Sequence, residues 1–137
     1  MKIVVDTNVL VSALIRAEGI PARILDVILS GQVKIAMDHR IYAEYQDVLA
    51  RPEFDFAPEP VDTLLDFLLQ SGERVYTTKT SVALPDAPDG KFLEVAIDGS
   101  ADFLVTGNLK HFPPRQRHGV WVVSPRQWWD RWSEGKW

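Results

Sequence analysis

Three carboxylates and one amide stand where a strand end or a helix start could expose them. They are Asp6 in "KIVVDTNVLVSAL", Glu44 in "RIYAEYQDVLARP", Asp89 in "LPDAPDGKFLEVA" and Asn108 in "ADFLVTGNLKHF". An ionised carboxylate in an apolar setting is costly unless it is paired, hydrogen-bonded or bound to a metal, so Asp6, set directly after an apolar run, needs a partner. Clustered carboxylates repel one another, and a divalent cation offsets that repulsion while polarising a phosphate oxygen and ionising a water. Each position also has an ordinary reading. Asp6, Thr7 or Asn8 can cap a following helix, and Asp86 or Asp89 can do the same for the next one. Glu44 can be a solvated acid near Arg40 and Arg51, worth about 0.3–0.5 kcal/mol per helical pair.

The elements around these residues follow from apolar spacing. Lys2–Val5 reads as a short buried strand, because it is β-branched, continuous and stopped by polar residues, and a helix is expected after it. "PARILDVILSG" has Ile24, Leu25, Ile28 and Leu29 at helical spacing, Pro21 near its start and Gly31 at its end. "VKIAM" is a second strand, and "RIYAEYQDVLARP" and "PVDTLLDFLLQSG" are helices, followed by strand "RVYTT". The Pro-rich "KTSVALPDAPDG" is a loop, "KFLEVAIDG" a helix, "DFLVTG" and "GVWVVS" strands, and "PRQWWDRW" a closing helix. Strands alternating with helices imply a mostly parallel sheet covered on both faces, with ligands bound outside the carboxyl ends of the strands. Asp6 and Asn108 then share that edge, whereas Asp102 precedes its strand and falls at the opposite one. Trp128, Trp129 and Trp132 are spaced as a packing face of the last helix rather than as a base-stacking platform.

Composition bounds the class. A chain of 137 residues, 46% hydrophobic, fits a single domain over residues 1–137 that buries about two thirds of its unfolded surface. Cysteine is absent, so any metal must be held by oxygen or imidazole, and a reducing cytoplasm is the expected setting. Asp6 and Asn8 interrupt what would otherwise imitate a signal peptide, and no apolar run reaches the ~18 residues of a membrane span. The net charge of −4 argues weakly against a nucleic-acid partner, yet it is uneven: Pro52–Glu73 has six acids and no Lys or Arg, while Lys110–Trp137 has six bases against Asp130 and Glu134. Lys91, Lys110 and His111 lie close in sequence to the candidate edge and could meet a phosphate backbone. His111 has no second His at i+4 and is left outside the metal set.

In this order, "VVDTNVL", "YAEYQDVL" and "PDAPDGKFLEVAIDGSADFLVTGNLKHF" resemble the PIN-domain ribonucleases, and particularly the bacterial VapC-like toxins and their PIN-family toxin relatives. The resemblance runs from Lys2 to about Pro125, and the ordered set is far more specific than "DTN" alone. It implies an α/β/α sandwich in which acids bind Mg2+ or Mn2+ for RNA cleavage, a homodimer, and a small antitoxin that covers the groove. The family's first, second and third acids fall on Asp6, Glu44 and Asp89. Its fourth falls on Asn108, a departure that removes one negative charge and makes single-metal chemistry the more favoured form. On this resemblance Asp6 and Asp89 are the principal metal ligands and Glu44 is a ligand through water or a base. Asn108 positions water or metal, and Thr7, Asn8 and Thr106 support by hydrogen bonds. The alternative is a PIN-fold module that binds RNA or protein without catalysis. A phosphatase with Asp6 as nucleophile ranks lower, because "DTN" lacks the second Asp that such enzymes carry two residues on.

Overall fold

The apolar run after Met1 forms β1 (Lys2–Val5), whose last three residues are buried, as expected of a strand covered on both faces. A computed structural model describes residues 1–76 and 81–136. After β1 come α1 (Thr7–Ile15), α2 (Ile20–Leu29), β2 (Lys34–Met37), α3 (His39–Leu49), α4 (Pro58–Ser71) and β3 (Glu73–Arg74). They are followed by α5 (Gly90–Asp98), β4 (Phe103–Val105), β5 (Val122–Val123) and α6 (Pro125–Glu134), with short 3-10 turns that include Ala87–Asp89 and Leu109–His111.

The sheet has the order β3-β2-β1-β4-β5, and every pairing is parallel. Ile3 is in register with Ile35 on one side and Phe103 on the other. The chain moves outward from β1 through β2 to β3, then returns to the far side of β1 for β4 and β5. The direction therefore reverses between β1 and β4, and the crevice beyond the carboxyl ends of these two strands is where such sheets bind ligands. Helices cover this parallel sheet to make the α/β/α sandwich expected from the sequence. α1 packs on α2 and α2 on α6, α3 packs on α4, and α5 lies along β1, β2 and β4.

One core runs through both faces and includes Ile3, Leu10, Ile35, Tyr45, Phe92 and Trp128. Trp128 is fully buried and stacks on Trp132 with centroids 5.2 Å apart, so the tryptophan face of α6 packs as its spacing indicated. Gly72 ends α4 hard against β2: a Cβ there would stand 2.5 Å from the Leu68 carbonyl oxygen and 2.7 Å from that of Ile35.

Some boundaries differ from the sequence reading. The helix expected after β1 is a separate element, α1, which buries Val9, Leu10 and Ala13 and breaks off before Gly19 opens α2. The edge strands are shorter than "RVYTT" and "GVWVVS" suggested, because outer strands pair on one side only and the chain leaves the ladder early. Thr77 and Thr78 of the first segment, and Lys79 and Thr80 of the loop after it, lie outside the described residues. Among the described residues no helix is long and apolar enough to cross a membrane.

Candidate active site

Asp6 leaves the end of β1 with its backbone N–H donated to the Val105 carbonyl at 2.9 Å, which ties it to the end of β4. It occupies the N-cap position of α1, yet its side chain makes no capping bond. The carboxylate instead accepts from Thr106 Oγ1 at 2.8 Å and from Asn8 Nδ2 at 3.5 Å. Thr106 Oγ1 accepts in turn from the Asn108 N–H at 3.0 Å, and Asn8 Oδ1 accepts from the Gly107 N–H at 3.1 Å. A Cβ on Gly107 would sit 3.2 Å from Asn8 Oδ1, so this glycine lets the two strand ends close on each other.

α3 brings the second acid. Its buried Tyr45 donates from the hydroxyl to the Val5 carbonyl at 2.5 Å, which pins the helix over the end of β1 and carries the neighbouring Glu44 to the same edge. Glu44 is half-buried and clamped from two sides: it accepts from Thr7 Oγ1, and its other oxygen pairs with Lys91 Nζ at 2.7 Å. Lys91 also stands over the Phe92 ring, 5.0 Å from its centroid. Its ammonium is thus engaged within the site.

The third acid arrives at the start of α5. Asp89 is the N-cap residue there and, like Asp6, forms no capping bond. Its Oδ2 lies 2.8 Å from His111 Nδ1, and Asp86 Oδ2 lies 3.9 Å from the same nitrogen. On the other side of the ring, His111 Nε2 is 2.8 Å from Asn108 Nδ2. The 3-10 turn Leu109–His111 folds the imidazole back into the space beside the acids.

The electrostatics mark this as an acid cluster. Burial pushes the Asp6 carboxyl up from its ordinary 3.8 to about 6, with further upward pressure from the charges of Asp89 and Glu44, while the Thr106 hydrogen bond holds it down in part. Asp89 is also raised, first by burial and then by Asp86, and is pulled back by His111 and Lys91. Oxygen-rich acid clusters of this kind fit a hard divalent cation, which keeps several waters and needs one or two carboxylates. Asp38 provides an internal contrast. It caps α3 by accepting from the Arg40 and Ile41 N–H groups at 3.0 Å each. Arg40 then bridges Asp38 and the buried Glu94, each at 2.7 Å. Capping by aspartate therefore occurs in this molecule, but not at Asp6 or Asp89.

Asp6, Glu44, Asp89 and Asn108 come together at one edge, with Thr7, Asn8 and Thr106 bonded around them. Lys110 is exposed on the turn beside Asn108. Asp102 lies at the opposite edge, where it accepts from the Lys2 N–H at 2.9 Å. Sequence reasoning placed His111 near this edge but outside the metal set, because its approach to Asp89 depends on how the turn after Asn108 folds. It also gave no weight to the Asp38–Arg40–Glu94 bridge, whose third member lies 54 positions from Arg40.

A family model described as PIN domain matches residues 2–110, which include all four of these positions. Two solved structures resemble the fold. One is VapBC2 from Rickettsia felis bound to a DNA fragment from their promoter, at 18% identity and a TM-score of 0.57, covering 90% of this chain and 98% of that one. The other is FitAB bound to an IR36 DNA fragment, at 19% identity and a TM-score of 0.59, covering 90% of this chain and 94% of that one. At these identities the likeness is one of fold. Among curated proteins none matches.

Proposed function

Because this chain belongs to the PIN-domain family, we propose that it is a metal-dependent ribonuclease, an endonuclease that hydrolyses RNA phosphodiester bonds with Mg2+ or Mn2+ at Asp6 and Asp89. The observation that carries this reading is that both aspartates occupy N-cap positions, form no capping bond, and converge with Glu44 at the edge where burial, and after it the charges of Asp89 and Glu44, raise Asp6 to about 6. A dication bound there supplies polarisation of a phosphate oxygen and a more acidic water. Asp6, oriented by Thr106 and Asn8, and Asp89 are the principal ligands. Glu44, clamped by Thr7 and Lys91, takes the proton of the attacking water or holds the cation through water. Asn108 positions a water without adding charge. Lys91 balances the acid cluster, and exposed Lys110 meets the RNA backbone.

The same reading makes the protein the toxin of a bacterial toxin–antitoxin pair in the cytoplasm, a homodimer neutralised by a small antitoxin. Its fold likeness to VapBC2 and FitAB supports that assignment. Asn108, in the place of the family's fourth acid, favours a second reading, a PIN-fold module that binds RNA or protein without cutting. Incubating the purified protein with a mixed RNA pool and Mg2+ or Mn2+, beside EDTA and Asp6→Asn, tests both. Metal-dependent cleavage lost in the variant supports the nuclease. No cleavage, together with no metal binding by calorimetry, refutes it and leaves the binding module.

A further inference from the structure

We propose that the groove between the end of α1, the start of α2 and the start of α6 binds phosphodiesters of single-stranded RNA, as a subsite that leads the strand to the acid edge. The inference deepens the ribonuclease reading and rests on it for the identity of the ligand.

Three arginines from three elements line this groove of about 500 Å3: Arg16, which closes α1, Arg23 of α2 and Arg126 of α6. Glu18 is the one acid among the described residues that line it. All three arginines are exposed, and among the described residues none of them is in an ion pair. Arg23 and Arg126 also stand in the first turns of their helices, where the helix dipole favours an acid and disfavours a cation, and neither first turn holds an acid. Arg23 gains the face of Trp129, 5.9 Å from its guanidinium, but no counter-charge. A phosphate in the groove reverses these signs: it offsets the repulsion among the guanidiniums, whose forked N–H groups match its oxygens.

The groove is joined to the acid edge by α1. Asn8, Ser12 and Arg16 follow one another at i, i+4 and i+8, share one face of the helix and are all exposed. Asn8 is bonded to Asp6. At 1.5 Å per residue, Arg16 lies about 12 Å farther along the helix. A strand held at Asp6 therefore needs only a short run of nucleotides to bring a neighbouring phosphate to the arginines. Contacts of this kind fix the position of a strand without reading its bases. The link along α1 favours RNA over an acidic peptide, because the same strand must also pass the acid edge.

The probe is a fluorescein-labelled single-stranded RNA of about 12 nucleotides, within the usual site sizes for such binding. Its anisotropy is followed with the full chain in EDTA across a range of salt. Arg16→Gln, Arg23→Gln and Arg126→Gln should each lower the slope of log affinity against log salt by about one, and the triple variant should bind on the order of 10-fold or more weakly. Arg126→Lys, which keeps the charge, should retain the slope. Lys34→Gln, at an exposed position where β2 begins, at the opposite edge of the sheet, should leave it unchanged. In cleavage with Mn2+, KM of the triple variant should rise more than kcat falls. A native slope in all three single variants, or an equal loss in Lys34→Gln, overturns the proposal. Poly-glutamate bound as tightly as RNA, and weakened by the same variants, overturns the RNA assignment. Cleavage by a native protein whose RNA affinity ignores the three arginines would sink this subsite and leave the nuclease standing. Arginine-dependent RNA binding in EDTA without cleavage in Mg2+ or Mn2+ would do the reverse.

Discussion

Replacing Asp6 by Asn should stabilise the metal-free protein, and the size of the gain follows from the site. The carboxyl is raised from 3.8 to about 6, so the folded state binds its proton more tightly than the unfolded chain does. For such a group, stability falls as pH rises from about 4 to about 6, and the full cost is present above that range. At about 1.4 kcal/mol for each pH unit, the cost of a charged Asp6 is about 3 kcal/mol. The amide of Asn keeps an oxygen for Thr106 Oγ1 and removes the charge. In EDTA at pH 7.5 the variant should therefore exceed the native protein by up to about 3 kcal/mol, equivalent to about 10 °C in Tm for a chain of this length. At pH 4 the two should nearly coincide. Urea unfolding across pH 4 to 8 measures the difference. Saturating Mg2+ should then stabilise the native protein, by about 2.7 kcal/mol at 100 times Kd, and leave the variant unchanged. An Asp6→Asn protein less stable than the native one in EDTA at pH 7.5, or a difference independent of pH, would refute the argument that the Asp6 charge is held at a cost in its buried place.

Two further outcomes test other parts of the molecule. Lys110→Ala should reduce the slope of log affinity for RNA against log salt by about one, whereas Lys91→Ala, whose ammonium is already paired with Glu44, should leave that slope unchanged and lower the cleavage rate. Asp38→Ala removes the cap of α3 and one arm of the Arg40 bridge, and should cost about 1–2 kcal/mol in urea unfolding.

Much of the site could be read from the sequence because topology does the positioning. A polar residue directly after a buried parallel strand must stand at the carboxyl edge, which places Asp6 and Thr106–Asn108 together without knowledge of any side-chain contact. Glu44 was legible only as a border position on an apolar helical face, and Tyr45, next to it, turns out to fix its direction by reaching the Val5 carbonyl. Lys91 and His111 were harder. Whether a lysine in the first turn of α5 points outward or toward Glu44 depends on packing against α3, a contact between segments far apart in the chain. His111 enters only because a 3-10 turn follows Asn108 instead of a strand or an extended loop. The separate α1 was also hidden, since its apolar residues continue the run of β1 and Asp6–Asn8 mark the border only by polarity.

The bond between Thr106 and Asp6 spans 100 positions of the chain. At synthesis rates of roughly 5–20 residues per second, Asp6 leaves the decoding centre on the order of 5 to 20 seconds before its partner does. Pairing β4 to β1 also closes a long loop, which is among the slower steps of folding. A nascent chain thus carries all of α1 to α4 while having no assembled acid cluster, and the site comes into being only when β4 has docked.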